Sequence, residues 1–149
     1  ANASSISDGA SALILASKSA VQAHGLKPMA KIVAHARSSR LPAEFTLAPV
    51  DAISSLLKKA GWSANDVDLW EINEAFAMVT MLAMKAHGLD HSKVNVHGGA
   101  CAQGHPIGST GSRIIVTLMH AMHHYGKERG VAALCIGGGE ATAVAIEKC

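Results

Sequence analysis

Aromatic residues are almost missing from this sequence: two Trp, one Tyr and two Phe make up 3% of 149 residues. A core with so few rings is packed from Ala, Val, Ile, Leu and Met, and such small side chains imply tightly layered elements. Charge is scarce too, at 16% of residues with a net of +2. No Lys/Arg cluster interleaves with aromatics, so the electrostatic footprint of a nucleic-acid binder is missing. No apolar run reaches the roughly 18 residues of a membrane helix, and no signal-peptide pattern opens the chain. Three cysteines, an odd number without scaffold spacing, read as reduced thiols in a cytoplasmic compartment. An initiator Met is lacking, and ANASSISDGASALILAS, beginning at Ala1, is already loop chemistry. The chain reads as a piece of something longer.

What is present is a packed core. Hydrophobic residues are 49% of the chain, and the length suits one ordinary domain. Ala10–Ala16 reads as a buried strand, Ser17 opens a short helix that Gly25 stops, and Met29–Ala36 reads as a second strand. Arg37–Thr46 is a loop carrying Phe45. Ala48–Ala60 has helical spacing at Val50, Ile53, Leu56 and Leu57 and ends at Gly61. Val67–Ile72 is a strand, and the helix from Ala75 is apolar on nearly every side, which predicts burial with Met78, Met81, Leu82, Met84 and Leu89 as core filler. Val94–Val96 is a short strand, Ser112–His123 a long apolar helix, and Gly130–Ile136 with Ala141–Ile146 an antiparallel hairpin. The order predicts an α/β layered domain with a mixed β-sheet covered by helices.

The window from Gly98 to Arg113, GGACAQGHPIGSTGSR, holds five glycines in sixteen residues. Glycine without a Cβ lets backbone approach something closely. Cys101 and His105 sit inside this bare stretch, and the helix behind it presents N–H groups suited to an anion or a developing oxyanion. Two further points share its placement at strand ends and helix starts, the functional rim of layered α/β folds. Asn73 follows a strand and precedes a helix, where it is either functional or simply an N-cap. Cys135 ends a strand and precedes Gly137, Gly138 and Gly139. It is either an inert buried thiol or a base made more acidic by accessible amides and a histidine. His120, His123 and His124 lack carboxylate or cysteine company and read as surface residues.

NEAFA at Asn73–Ala77, GHPIGSTGSR at Gly104–Arg113 and CIGGG at Cys135–Gly139 resemble, in order, the three C-terminal motifs of the thiolase family. NASSISDGA at Asn2–Ala10 resembles its entry into the C-terminal half, and the likeness covers essentially all of residues 1–149, being strongest to acetyl-CoA acetyltransferases. The resemblance implies one half of an αβαβα arrangement. It implies that His105 activates a nucleophilic cysteine, that Cys135 is the acid/base taking the α-proton, and that Asn73 holds a water that forms an oxyanion hole with His105. By the same resemblance Gly137 is expected to donate its N–H to a second oxyanion hole, Ser4 to contact the pantetheine arm, and Phe76 and Phe45 to line the acyl pocket.

The implied reaction is the reversible condensation of two acetyl-CoA to acetoacetyl-CoA. No resident cofactor or catalytic metal is implied, coenzyme A thioesters being the substrates. The implied partners are the N-terminal half, which bears the nucleophilic cysteine and is absent here, and further copies in a homodimer or homotetramer. Cys101 does not fit the nucleophile's motif and reads as structural; Gln103 and the residues after Gly139 depart from the family pattern. A longer-chain 3-ketoacyl-CoA thiolase and an inert structural or assembly fragment are the other readings.

Overall fold

Element boundaries follow capping chemistry. In the computed structural model, which describes residues 2–149, helix α1 (Lys18–His24) starts where the Ser17 hydroxyl accepts the Ala20 N–H and stops at Gly25. Strand β1 (Ala30–Ser39) follows. Helix α2 (Ala48–Ala60) carries Pro49 and Asp51 in its first turn, Lys58 and Lys59 in its last, and Gly61 beyond it. Then come β2 (Leu69–Ile72), α3 (Ala77–His87), the single turn α4 (Ala100–Gln103), α5 (Thr110–His124), β3 (Arg129–Cys135) and β4 (Glu140–Lys148).

The four strands form one mixed sheet in the order β1-β4-β3-β2, with β2 and β3 parallel and β4 antiparallel to both its neighbours. Alternate residues of β3 face opposite ways. Val131 and Ala133 join Ile53, Leu56 and Leu57 of α2 with Ala141, Ala143 and Ala145 of β4. Ala132 joins Ile114, Leu118 and Met122 of α5 on the other face. Helix, sheet and helix make three layers, and the layered mixed-sheet expectation holds.

The β3–β4 hairpin turns at Gly139, which takes φ +97°. A Cβ there collides with the Arg40 carbonyl oxygen and lies 3.1 Å from that of Leu41. We expect Gly139→Ala to cost about 1–3 kcal/mol in a thermal melt, because left-handed strain adds to a backbone collision. Gly137, where a Cβ meets nothing within 4 Å, is the comparison; its change to Ala should stay within about 1 kcal/mol. Equal costs at both positions would refute this account of the turn.

Three expectations are corrected and one open alternative is closed. Ala10–Ala16 is no strand: Ile14 is 93% exposed and Leu15 77%. A strand needs an edge to pair with, and this segment pairs with none in the sheet; Ser11 instead bonds Ser109 and Ser112 at the start of α5. Val94–Val96 makes only a single bridge, Val94 to Trp70, because Asn95 turns away at φ +49°. The Asn95 carboxamide takes over the ladder, accepting from the Ile72 N–H at 2.8 Å and donating to the Ile72 carbonyl at 2.9 Å. Helix α3 buries only Val79, Thr80 and Ala83, while Met78 and Met81 are exposed. Met84 and Leu89 do pack against the α2 side of the core. Finally, α3 begins at Ala77 with Phe76 in the cap position, so Asn73 is not its N-cap.

Candidate active site

Parallel strands deliver their C-terminal ends to one rim. Ile72 of β2 is in register with Ala133 of β3, and the Asn73 N–H continues the ladder by donating to the Ala133 carbonyl at 2.9 Å. Two residues further along β3 lies Cys135, so Asn73 and Cys135 end adjacent strands, a spacing of about 4.8 Å in a sheet. The first turn of α5 reaches the same rim, since a Cβ on Gly111 would stand 3.7 Å from Leu134 Cδ2. Three motifs far apart in sequence thus meet at one end of the sheet.

His105 is held before α5 from both sides. Its N–H donates to the Ser5 carbonyl at 2.8 Å, and Nδ1 lies 2.7 Å from Thr110 Oγ1. The Thr110 hydroxyl proton is engaged, at 3.1 Å, with the Pro106 carbonyl. Thr110 therefore accepts from His105, which fixes the proton on Nδ1 and leaves the lone pair on Nε2. Burial, reinforced by the Arg113 charge, holds the imidazole below its ordinary value, so it is neutral near pH 7. A neutral imidazole with a fixed, open Nε2 is a base.

Cys135 is 9% exposed, and burial pushes its thiol above the ordinary value. The expected easier ionisation is therefore corrected: the resting form is the thiol. Gly137, just beyond, is exposed, with open space where a Cβ would stand.

Behind the rim lies a polar group inside the core. Glu71 and Asn73 are 1% and 2% exposed, and the partly buried Arg113, its side chain 16% exposed, reaches them. Arg113 Nη2 donates to Asn73 Oδ1 at 3.2 Å, and Nη1 stands 4.0 Å from Glu71 Oε2. Burial drives the Glu71 carboxyl up to about 8, against the pull of Arg113, and lowers Arg113 itself. A carboxyl whose value is raised in the fold binds a proton that the unfolded chain releases. Its effect is a loss of stability as pH rises from about 4.5 to about 8, at up to about 1.4 kcal/mol per pH unit. Glu71→Gln cannot titrate. The variant's denaturant stability should fall less steeply across that window than the parent's, and parallel curves would show that Glu71 titrates normally.

The remaining predicted residues form a second group on the Asn73 turn. Ser4 donates both its N–H, at 3.2 Å, and its hydroxyl, at 3.3 Å, to the Ala75 carbonyl. Phe76 pairs with Ala3 in an isolated bridge and tilts against Phe45 with ring centroids 6.0 Å apart. Because Ser5 also binds His105, residues 3–6 tie this group to the His105 loop. The Ser4 hydroxyl is thereby committed to backbone, whereas Phe76, 41% exposed, presents a ring at the surface.

Cys101 is exposed, with its N–H donating to Glu74 Oε2 at 3.0 Å and its thiol pushed up by burial and by Glu74. Gln103 donates to the carbonyls of His97 and Gly98, at 3.0 Å each, which pins the glycine turn. His120, His123 and His124 are exposed, and His123 bonds the Met29 carbonyl at 3.0 Å. Sequence reasoning did not single out Thr110, Arg113, Glu71 or Asn95. A usable signal existed for Glu71, a charge inside the otherwise apolar run of β2. Thr110 binds locally, to His105 and Pro106, whereas the partners of Arg113 lie across the fold and leave no local pattern.

Comparison with known proteins follows the same lines. Residues 26–148 match the family described as "Thiolase, C-terminal domain". A curated mouse relative, "Acetyl-CoA acetyltransferase, cytosolic", is 48% identical over 148 residues, covering 99% of this chain and 37% of that protein. The solved acetyl-CoA acetyltransferase of Bacillus anthracis matches with a TM-score of 0.96 at 43% identity, over 99% of this chain and 38% of that one. Human mitochondrial 3-ketoacyl-CoA thiolase matches at 0.87 and 46% identity, over 90% of this chain and 34% of that one. The chain spans little more than a third of the length of these relatives.

Proposed function

Since the chain belongs to the thiolase family, as its C-terminal domain, we propose that it supplies the His/Cys/Asn part of an acyltransferase site that condenses two acetyl-CoA, reversibly, to acetoacetyl-CoA and CoA. The observation that carries the reading is His105, neutral, with Nδ1–H held by Thr110 and Nε2 open. On this reading a cysteine of the N-terminal half completes the site, in a homodimer or homotetramer.

The chemistry divides into two balanced steps. His105 Nε2 takes the proton of the nucleophilic cysteine, whose sulfur attacks the first acetyl-CoA. The C–S bond to CoA breaks, and the Cys135 thiol protonates the leaving CoA sulfur. A thiol raised by burial suits that task, being protonated at rest and a stronger base once ionised. The Cys135 thiolate then removes the α-proton of the second acetyl-CoA. The enolate carbon attacks the acyl-cysteine, the new C–C bond forms, and the released thiolate recovers its proton from His105. Asn73, with its bound water, and His105 face the enolate oxygen; the Gly137 N–H faces the oxygen of the acyl-cysteine. Each such donor is worth about 3–4 kcal/mol of barrier. Phe76 and Phe45 border the acyl group, and Ser4 adjoins the pantetheine arm.

Acetyl-CoA is favoured over longer acyl chains because the match to an acetyl-CoA acetyltransferase covers 99% of the chain at TM-score 0.96. That to the 3-ketoacyl-CoA thiolase covers 90% at 0.87. We assign the protein to the cytosol on the name of the mouse relative. The human enzyme is named as mitochondrial, and cell fractionation decides between the two. No helix among the described residues is long and apolar enough to cross a membrane. The test of function is thiolysis of acetoacetyl-CoA against a long-chain 3-ketoacyl-CoA by the protein assembled with its N-terminal half. Preference for the long chain overturns the substrate assignment, and no turnover of either overturns the reaction.

A further inference from the structure

Asn73 can hold the water of the oxyanion hole through its NH2 only if the carboxamide keeps Nδ2 free and turns Oδ1 elsewhere. Its backbone N–H is spent on Ala133, and Nδ2 has no partner among the described residues, although the residue is 98% buried. Nothing on β2 itself decides which way the amide faces, because a carboxamide rotated by half a turn occupies the same volume. The deciding group is Arg113. A guanidinium has donors only, and its Nη2 lies 3.2 Å from Asn73 Oδ1. The flipped amide would set NH2 against NH2 and bring two like partial charges together inside the core. Arg113 therefore holds Oδ1 on the guanidinium and leaves Nδ2 as the unpartnered donor.

Arg113 is itself fixed. It follows Thr110 by one turn of α5, so the helix that orients His105 through Thr110 orients Asn73 through Arg113. Its Nη1 stands 4.0 Å from Glu71 Oε2, and the attraction between the two opposes the burial that raises the Glu71 carboxyl and lowers Arg113. We infer that Arg113, backed by Glu71, is a positioning residue that fixes the Asn73 carboxamide as a donor. The inference rests on the reading of Asn73 as part of the oxyanion hole and adds to it the group that sets its direction.

The test is a double-mutant cycle on condensation by the protein assembled with its N-terminal half, using Asn73→Ala, Arg113→Met and both together. Asn73→Ala should lower kcat by about a hundredfold, the usual loss of one oxyanion donor. Arg113→Met should lower kcat at least tenfold with KM for acetyl-CoA nearly unchanged. In the Asn73→Ala background it should cost less than twofold, because nothing is left to orient. Full multiplication of the two losses would overturn the role of Arg113 and leave that of Asn73 standing. An unchanged kcat in Asn73→Ala would overturn both, and with them the oxyanion reading. If Arg113→Met does not fold, Arg113→Lys enters the same cycle. Its single ammonium still presents only donors to Oδ1, and a smaller loss, again vanishing without Asn73, is the expected result.

Discussion

Serine in place of Cys135 is expected to leave acylation of the assembled enzyme measurable while slowing condensation on the order of a thousandfold, the scale of a lost general base. Both halves of that expectation come from the site. Acylation takes its base from His105, whose Nδ1 is held by Thr110. It loses only the proton that Cys135 gives the leaving CoA, without which CoA departs more slowly as the thiolate. Condensation needs a base against an α-proton, and a serine hydroxyl does not ionise near neutral pH. Cys135 closes β3 opposite Ala141 and is 9% exposed, so a polar replacement there also loses some stability. Cys135→Ala separates the two losses, since it keeps the packing without the hydroxyl. Burst measurement of CoA release reports acylation, and acetoacetyl-CoA formation reports condensation. Condensation at near the parent rate in either variant would remove Cys135 from the base role.

That the three motifs converge was legible before the fold was known, because each announces itself locally. The Asn73 turn, the His105 loop and the Cys135–Gly139 turn all stand where a strand ends or a helix begins, and a parallel pair such as β2 and β3 must bring such ends to one side. What supports them was not legible. Arg113 and Glu71 act through a contact between α5 and β2, and the sequence of a helix does not say which strand it covers. Thr110 acts locally on His105, but a hydroxyl five residues on carries no mark of that contact. The acidity of Cys135 is hidden for a related reason: accessible glycines are visible in the sequence, whereas the burial of the sulfur, which raises the thiol, depends on layers above and below. Ala10–Ala16 fails differently. Its composition suits a strand, yet strand formation is a property of a pair, and no edge is offered to it. Asn95 reverses the lesson, since one side chain ends the short strand at Val94 and replaces the ladder it interrupts.

The 149-residue chain prepared by itself is expected to show no thiolysis and to associate with itself. One source is α5, whose Ile115, Val116 and Met119 lie beside the buried Ile114 and Leu118. In the structure those three are only half-buried, so the helix does keep an incompletely covered face. Larger contributions lie elsewhere. Ile6 is 84% exposed, Ile14 93%, Leu15 77% and Ile107 67%, and these residues flank the tether by which Ser11 holds the N-terminal segment to α5. Leu41, Phe76 and Ile136 add exposed apolar side chains near the candidate site. Exposed apolar patches beyond a few hundred Å² commonly mark contact surfaces, and burial returns roughly 25 cal/mol per Å². On the proposed reading the N-terminal half covers this surface; without it, copies of the chain cover one another. A hydrophobic dye should brighten on binding, size exclusion should show an oligomer, and addition of the N-terminal half should abolish both signals and restore turnover. A dye-silent monomer would defeat the argument from exposed side chains. Turnover by the chain alone would show that Cys101 or Cys135 serves as the nucleophile, and that the site needs no second half.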